Sequence, residues 1–99
     1  MKKNTSIVLV GAGKVGTALS KRLYKNGFNF NSIIDLDITK ARNLAKKINA
    51  NHFSSEINDI PKNVNFIIIS VPDSQINLVS KRISKLPLKF KSLKVCHVS

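Results

Sequence analysis

Three glycines in the run Gly11-Ala12-Gly13-Lys14-Val15-Gly16 are the residues of this chain best suited to holding an anion. In the G-x-G-x-x-G spacing each has a separate job. Gly11 turns the chain sharply off a strand. Gly13, without a Cβ, lets a pyrophosphate approach the backbone. Gly16 lets a helix pack closely on that strand. The N–H groups that open the helix, among them those of Lys14 and Val15, have no partner within it, and the helix dipole favours negative charge there. A second chemically suited residue is Asp35, nineteen positions after Gly16. That is close to the ~20-residue spacing of the carboxylate that accepts hydrogen bonds from an adenosine ribose. The same carboxylate would repel a 2′-phosphate. A charge pair at ~4 Å and an effective dielectric near 20 is worth roughly 4 kcal/mol. Solvent weakens this, to a discrimination of about a hundredfold in favour of NAD over NADP. Leu36 stands where an NADP-preferring site usually has an arginine, and Arg42 lies further along. Asp37 competes with Asp35 for the ribose, but reads better as the N-cap of the next helix.

The elements needed to place these residues are legible. Ile7–Val10 is apolar throughout, as in a parallel strand buried on both faces. A helix from Lys14 to about Lys25 follows, with Val15, Ala18, Leu19 and Leu23 as its buried stripe and Asn26-Gly27 as its stop. Strand two is expected at Asn31–Leu36, and helix two at Ile38–Ile48 with Ala41, Leu44, Ala45 and Ile48 inward. A short strand at Ala50–Phe53 precedes a one-turn helix capped by Ser54 or Ser55 and ended by Pro61. Asn65–Val71 is the clearest strand. Helix four spans about Ser74–Lys85, with Ile76, Val79 and Ile83 inward, and Leu93–Val98 is strand five. Alternation of strand and helix gives an α/β fold, a doubly wound parallel sheet in the order 3-2-1-4-5. Ligands of such sheets sit over the carboxyl ends of the strands at the topological switch point. Ser70, Val71 and Pro72 are therefore expected to line the cofactor near its nicotinamide half.

Composition narrows the classes. The chain has 99 residues, one domain's worth, and 42% hydrophobic residues. One cysteine, Cys96, forms no internal disulfide, which fits a reducing cytoplasm. The N-terminal apolar run is too short for a signal peptide, and no run is long enough for a membrane span. The net charge of +12 comes from scattered lysines rather than a basic tract interleaved with aromatics. It reads as a compositional bias toward lysine, asparagine and isoleucine, not as nucleic-acid binding. It would still help collect an anionic dinucleotide. His52 has no second histidine, cysteine or carboxylate at metal spacing, so no metal site is expected.

The runs Val-Gly-Ala-Gly-Lys-Val-Gly-Thr-Ala-Leu, Ile-Ile-Asp, Lys-Ala-Arg-Asn-Leu-Ala and Ile-Ile-Ser-Val-Pro-Asp-Ser-Gln-Ile carry a family resemblance over essentially the whole chain. The sequence resembles the N-terminal Rossmann-like domain of oxidoreductases related to pyrroline-5-carboxylate reductase and the β-hydroxyacid dehydrogenases. Val71-Pro72-Asp73 and the terminal Cys96-His97-Val98-Ser99 are the more specific parts of the match. The resemblance implies a helical C-terminal domain that supplies much of the substrate site and the dimer contact, and this sequence does not contain it. It also implies that His97 and Ser99 approach the substrate side of the nicotinamide. Strand alternation puts both on one face, which suits a proton donor and an oxyanion partner, or simply two strand-end residues. The expectation is the NAD(P)-binding half of an oxidoreductase for an unidentified small molecule, inactive alone. Two other classes compete. A regulatory dinucleotide-binding module usually carries a Gly-Asp pair after strand three, where Asn51–Ser55 stands here. A methyltransferase usually ends strand four differently from Ser70-Val71-Pro72-Asp73. Strand five is expected at an exposed edge, which promotes homo-oligomerisation or pairing with a further domain.

Overall fold

Four consecutive apolar residues, Ile7–Val10, form β1 and are buried on both faces in the computed structural model of the chain, which describes residues 5–89 and 93–98. Around β1 the sheet is parallel and five-stranded, in the order β3-β2-β1-β4-β5. The other strands are β2 (Phe30–Ile34), β3 (His52–Ser54), β4 (Phe66–Ile69) and β5 (Lys94–His97). The α-helices are α1 (Lys14–Lys25), α2 (Ile38–Lys47) and α3 (Ile76–Ser84), with 3-10 turns at Ile57–Asp59 and Asp73–Gln75. The expected class and strand order are those observed.

Side chains alternate across the sheet, so each strand feeds two cores. Ile7, Leu9, Phe30, Ile33 and Ile68 pack with Ala41, Leu44, Ala45 and Ile48 of the α2 layer. Val8, Val10, Ile34, Ile67 and Ile69 pack with Val79 and Ile83 of α3 and with Ile60 and Val64 on the opposite face. β4 pairs with β1 from Ile7↔Phe66 to Val10↔Ile69, without a shift. A register irregularity between Ile7 and Val8 marks the pairing with β2.

Several boundaries differ from the sequence expectation. β2 ends at Ile34 rather than Leu36, although the Asp35 N–H still donates to the Ser54 carbonyl at 3.1 Å. β3 starts at His52, and the turn after it is a single 3-10 turn with Glu56 at its N-cap. Ser54 caps nothing there, but its hydroxyl accepts the Glu56 N–H at 2.9 Å. β4 ends at Ile69, and a 3-10 turn occupies the start of the expected fourth helix. The main correction concerns α1. Val15 is 43% exposed and Ala18 is exposed, whereas Gly16 and Ser20 are buried and Leu19 and Leu23 half-buried. Gly16 meets the Gly11 carbonyl and the Ser70 side chain too closely for any Cβ, and that approach sets the inward face of α1. Ser20 pairs internally, its hydroxyl donating to the Thr17 carbonyl at 3.1 Å.

The α1 stop forms as expected, with Asn26 at the C-cap and Gly27 at φ +92°. Asp37 is the α2 N-cap, accepting the Thr39 N–H at 3.0 Å and the Lys40 N–H at 3.4 Å. None of the three α-helices carries an acidic side chain. β5 pairs with β4 and leaves Lys94, Val95 and His97 exposed on the sheet's edge.

Ile67 sits fully buried in the central strand β4. Ile67→Ala is expected to lower unfolding free energy by about 2–5 kcal/mol in urea titrations. Val95→Ala, on the exposed edge, is expected to change it by less than about 0.5 kcal/mol. Equal losses at the two positions would contradict this placement of the core.

Candidate cofactor site

The carboxyl ends of the strands form one continuous rim because each loop residue bonds to the strand beside it. Gly11 N–H donates to the Ile34 carbonyl at 2.7 Å, Ser70 N–H to the Val10 carbonyl at 2.7 Å and Val98 N–H to the Ile69 carbonyl at 2.9 Å. The glycine loop and Asp35 are therefore brought onto the same edge as Ser70, Val71 and Pro72.

Two of the three glycines are required by the chain itself. Gly11 has φ +100°, and a Cβ there would lie 2.1 Å from the Ser70 carbonyl oxygen. A Cβ on Gly16 would lie 2.7 Å from the Gly11 carbonyl oxygen and 2.8 Å from both Cβ and Oγ of Ser70. Gly16 thus serves to press α1 against the loop and the end of β4, more than against β1 itself. Gly13 is different. Its φ is −77°, open to any residue, and a Cβ there would meet nothing within 4 Å. No positive φ and no contact within the described chain requires glycine here, although glycine is a better N-cap than alanine.

The helix starts at the rim also differ, that of α3 following a 3-10 turn with Gln75 as an N-cap that makes no capping bond. The α2 start is closed by the Asp37 carboxylate. The α1 start has no side-chain cap and no acidic residue in its first turn. The first intrahelical bond there is from Thr17 N–H to the Gly13 carbonyl at 2.9 Å, which leaves the N–H groups of Lys14, Val15 and Gly16 without a helical partner.

Asp35 is half-buried beside this loop. Its Oδ2 accepts the Ala12 N–H at 2.7 Å and its Oδ1 accepts the Asp37 N–H at 2.8 Å. A carboxylate has about four lone-pair positions, so each oxygen retains capacity for a further donor.

A cavity of about 340 Å³ opens between the ends of β1, β2 and β4, and Gly11, Gly13, Asp35, Ser70, Val71 and Pro72 all line it. The remaining sequence-derived residues lie around it. Gly16 is buried behind Ser70, Val15 is exposed, and Lys14 faces a neighbouring groove of about 590 Å³ between α1 and α2. His97 is exposed on β5, outside the lining of the cavity, and Ser99 lies outside the described residues. Burial raises the Cys96 thiol above its usual pKa, which opposes thiolate formation. Among the described residues no group of three metal-ligating side chains occurs.

Beyond Leu36, sequence reasoning missed the far wall of this cavity: Lys40, Ser55, Ile57, Gln75, Leu78 and Arg82. Leu36 is 80% and Leu78 59% exposed, and both line the cavity. A signal was present. Gln75, Leu78 and Arg82 recur at helical spacing, one step around from the inward stripe of Ile76, Val79 and Ile83.

A parallel sheet in this order, with a glycine turn opening α1 and a carboxylate ending β2, defines a Rossmann-like domain of the NAD(P)-binding oxidoreductase type. The chain belongs to the family described as NADP oxidoreductase, coenzyme F420-dependent, whose family model matches residues 6–92. Among solved structures, a provisionally named NADP oxidoreductase from Bacteroides fragilis is similar to it at 28% identity and a TM-score of 0.87, over 98% of this chain and 36% of that one. Quinate dehydrogenase from Corynebacterium glutamicum, in complex with NAD, is similar at 29% identity and a TM-score of 0.57, over 72% of this chain and 28% of that one. Prephenate dehydrogenase from A. aeolicus, in complex with hydroxyphenyl propionate and NAD+, shares the fold at 18% identity and a TM-score of 0.79, over 94% and 32%. The chain thus spans about a third of the length of these structures. No curated protein sequence matches it.

The three glycines are expected to respond differently to alanine. Gly11→Ala and Gly16→Ala should each lower the midpoint of thermal unfolding by several degrees, since backbone or Ser70 must move. Gly13→Ala should lower it less than either, by no more than the cost of an alanine N-cap. A drop at Gly13 equal to that at Gly16 would show that Gly13 has a packing role after all.

Proposed function

We propose that the chain is the NAD(P)-binding half of an oxidoreductase, with NAD preferred over NADP. The observation that carries this reading is Gly13, a glycine that no contact or positive φ in the described chain requires, at a helix start whose first N–H groups have no helical partner. Both features suit a pyrophosphate resting against the backbone. In this reading Gly13, Lys14, Val15 and Gly16 hold the pyrophosphate, and Gly11 makes the turn that presents them. Asp35 takes the adenosine ribose through its remaining lone pairs. Leu36, Ile57, Leu78 and Val79 supply apolar walls for the adenine, and Gln75 a polar edge. Ser70, Val71 and Pro72 line the middle of the crevice, on the way to the nicotinamide.

When bound, the cofactor supplies or receives the hydride, and the chain's part is to bind and orient it. The substrate is a small molecule. Its site, and the dimer contact, belong to a further domain by resemblance, with His97 and Ser99 as candidates on this side. The lone half-buried cysteine is in keeping with a reducing, cytoplasmic setting, and among the described residues no helix is long and apolar enough to cross a membrane.

The preference for NAD rests on the Asp35 charge and on Leu36 in place of an arginine. A second reading, NADP, is favoured by Lys40. This cation lines the same cavity as Asp35 and Leu36 and could meet a 2′-phosphate.

Calorimetric titration with NADH, NADPH and S-adenosylmethionine separates these readings. NADH is expected to bind at least tenfold more tightly than NADPH, and S-adenosylmethionine not at all. Tighter binding of NADPH would transfer the ribose end from Asp35 to Lys40. Absence of binding by both nicotinamide cofactors would overturn the proposal. Turnover by this chain alone is expected to be undetectable in assays following NADH absorbance.

A further inference from the structure

A carboxylate beside an anion site is electrostatically unfavourable for the anion, so its placement calls for a compensating role. Ribose recognition is one. The geometry points to another: we propose that Asp35 is a positioning residue that latches the glycine loop, fixing its open N–H groups in place before a nucleotide arrives. This rests on the reading of the rim as a nucleotide site.

Ala12 is only 9% exposed, and its N–H donates to Asp35 Oδ2 at 2.7 Å. Without that oxygen the N–H would be a nearly buried donor lacking an acceptor, which disfavours this course of the loop. The other oxygen takes the Asp37 N–H at 2.8 Å, and Asp37 itself caps α2. One side chain therefore ties the β1–α1 loop to the start of the next crossover. Gly11 is already held by its bond to the Ile34 carbonyl. The latch fixes the next residue along, and with it the direction in which the chain enters Gly13 and α1. It also withdraws Ala12 N–H from the ligand, so phosphate must be met by the N–H groups from Gly13 onward.

The latch and the ribose contact are separable with 2′,3′-dideoxy-ADP, which keeps the diphosphate and lacks the ribose hydroxyls. In calorimetry Asp35→Ala is expected to weaken dideoxy-ADP by about tenfold, even though a negative charge has been removed. Unchanged or tighter binding of dideoxy-ADP, with ADP weakened, would reduce Asp35 to a ribose ligand and overturn the latch. Asp35→Asn keeps one acceptor oxygen for Ala12 and is expected to recover most of the lost dideoxy-ADP affinity. It also carries the test if Asp35→Ala does not fold.

Amide hydrogen exchange at Ala12, read by NMR without ligand, gives an independent measure. Exchange should be at least tenfold faster in Asp35→Ala than in the unsubstituted chain and intermediate in Asp35→Asn. Equal rates in all three would overturn the latch. Protected exchange in an unsubstituted chain that binds neither ADP nor NADH would instead overturn the nucleotide reading, leaving a tied loop with nothing to position.

Discussion

The rim depends on how closely three backbone segments meet at Ser70. Gly11 passes so near the Ser70 carbonyl that no side chain fits between them, and Gly16 brings α1 onto both Gly11 and the Ser70 side chain. Ser70 in turn is held by its N–H bond to the Val10 carbonyl. The first strand, the first helix and the fourth strand thus share one contact that tolerates no extra methyl group. Because interiors are close-packed, a shift there would move the whole loop. Between these two constrained glycines, Gly13 has nothing within 4 Å of the place a Cβ would take.

Strand order, helix positions and the Asp37 cap were legible because they follow from local rules: apolar runs, helical spacing and turn residues. The inward face of α1 was not. Hydrophobic spacing points to Val15 and Ala18, yet Gly16 and Ser20 face the sheet, because a close helix-to-sheet approach selects small residues rather than apolar ones. The cavity's far wall escaped for a related reason. Leu78 is apolar but exposed, and periodicity ranks residues by burial in the chain's own core. Asp35 was identifiable by its distance from Gly16. Its two backbone partners were not, since they depend on the loops' course in three dimensions.

The α1 and α2 starts at the rim illustrate a division of labour. α2 is completed by its own N-cap, so its position is settled within the chain. α1 has no such side chain, and its stability rests on packing through Gly16, Leu19 and Ser20 rather than on capping. A missing cap commonly costs about 1 kcal/mol. The helix start that lacks a cap is the one whose loop is packed against Ser70 through Gly11 and Gly16.

The absence of acidic side chains from all three α-helices bears on how the molecule responds to its medium. Helices of soluble proteins often carry opposite charges one turn apart, and added salt weakens those pairs. On this surface the sign of the salt effect is reversed. Lys21, Arg22 and Lys25 crowd one helix end, and Lys46 and Lys47 another, with no carboxylate on either helix to offset them. Mobile anions reduce that repulsion, so moderate ionic strength stabilises the outer layer while slowing capture of a charged ligand. Folding and encounter therefore favour opposite salt conditions.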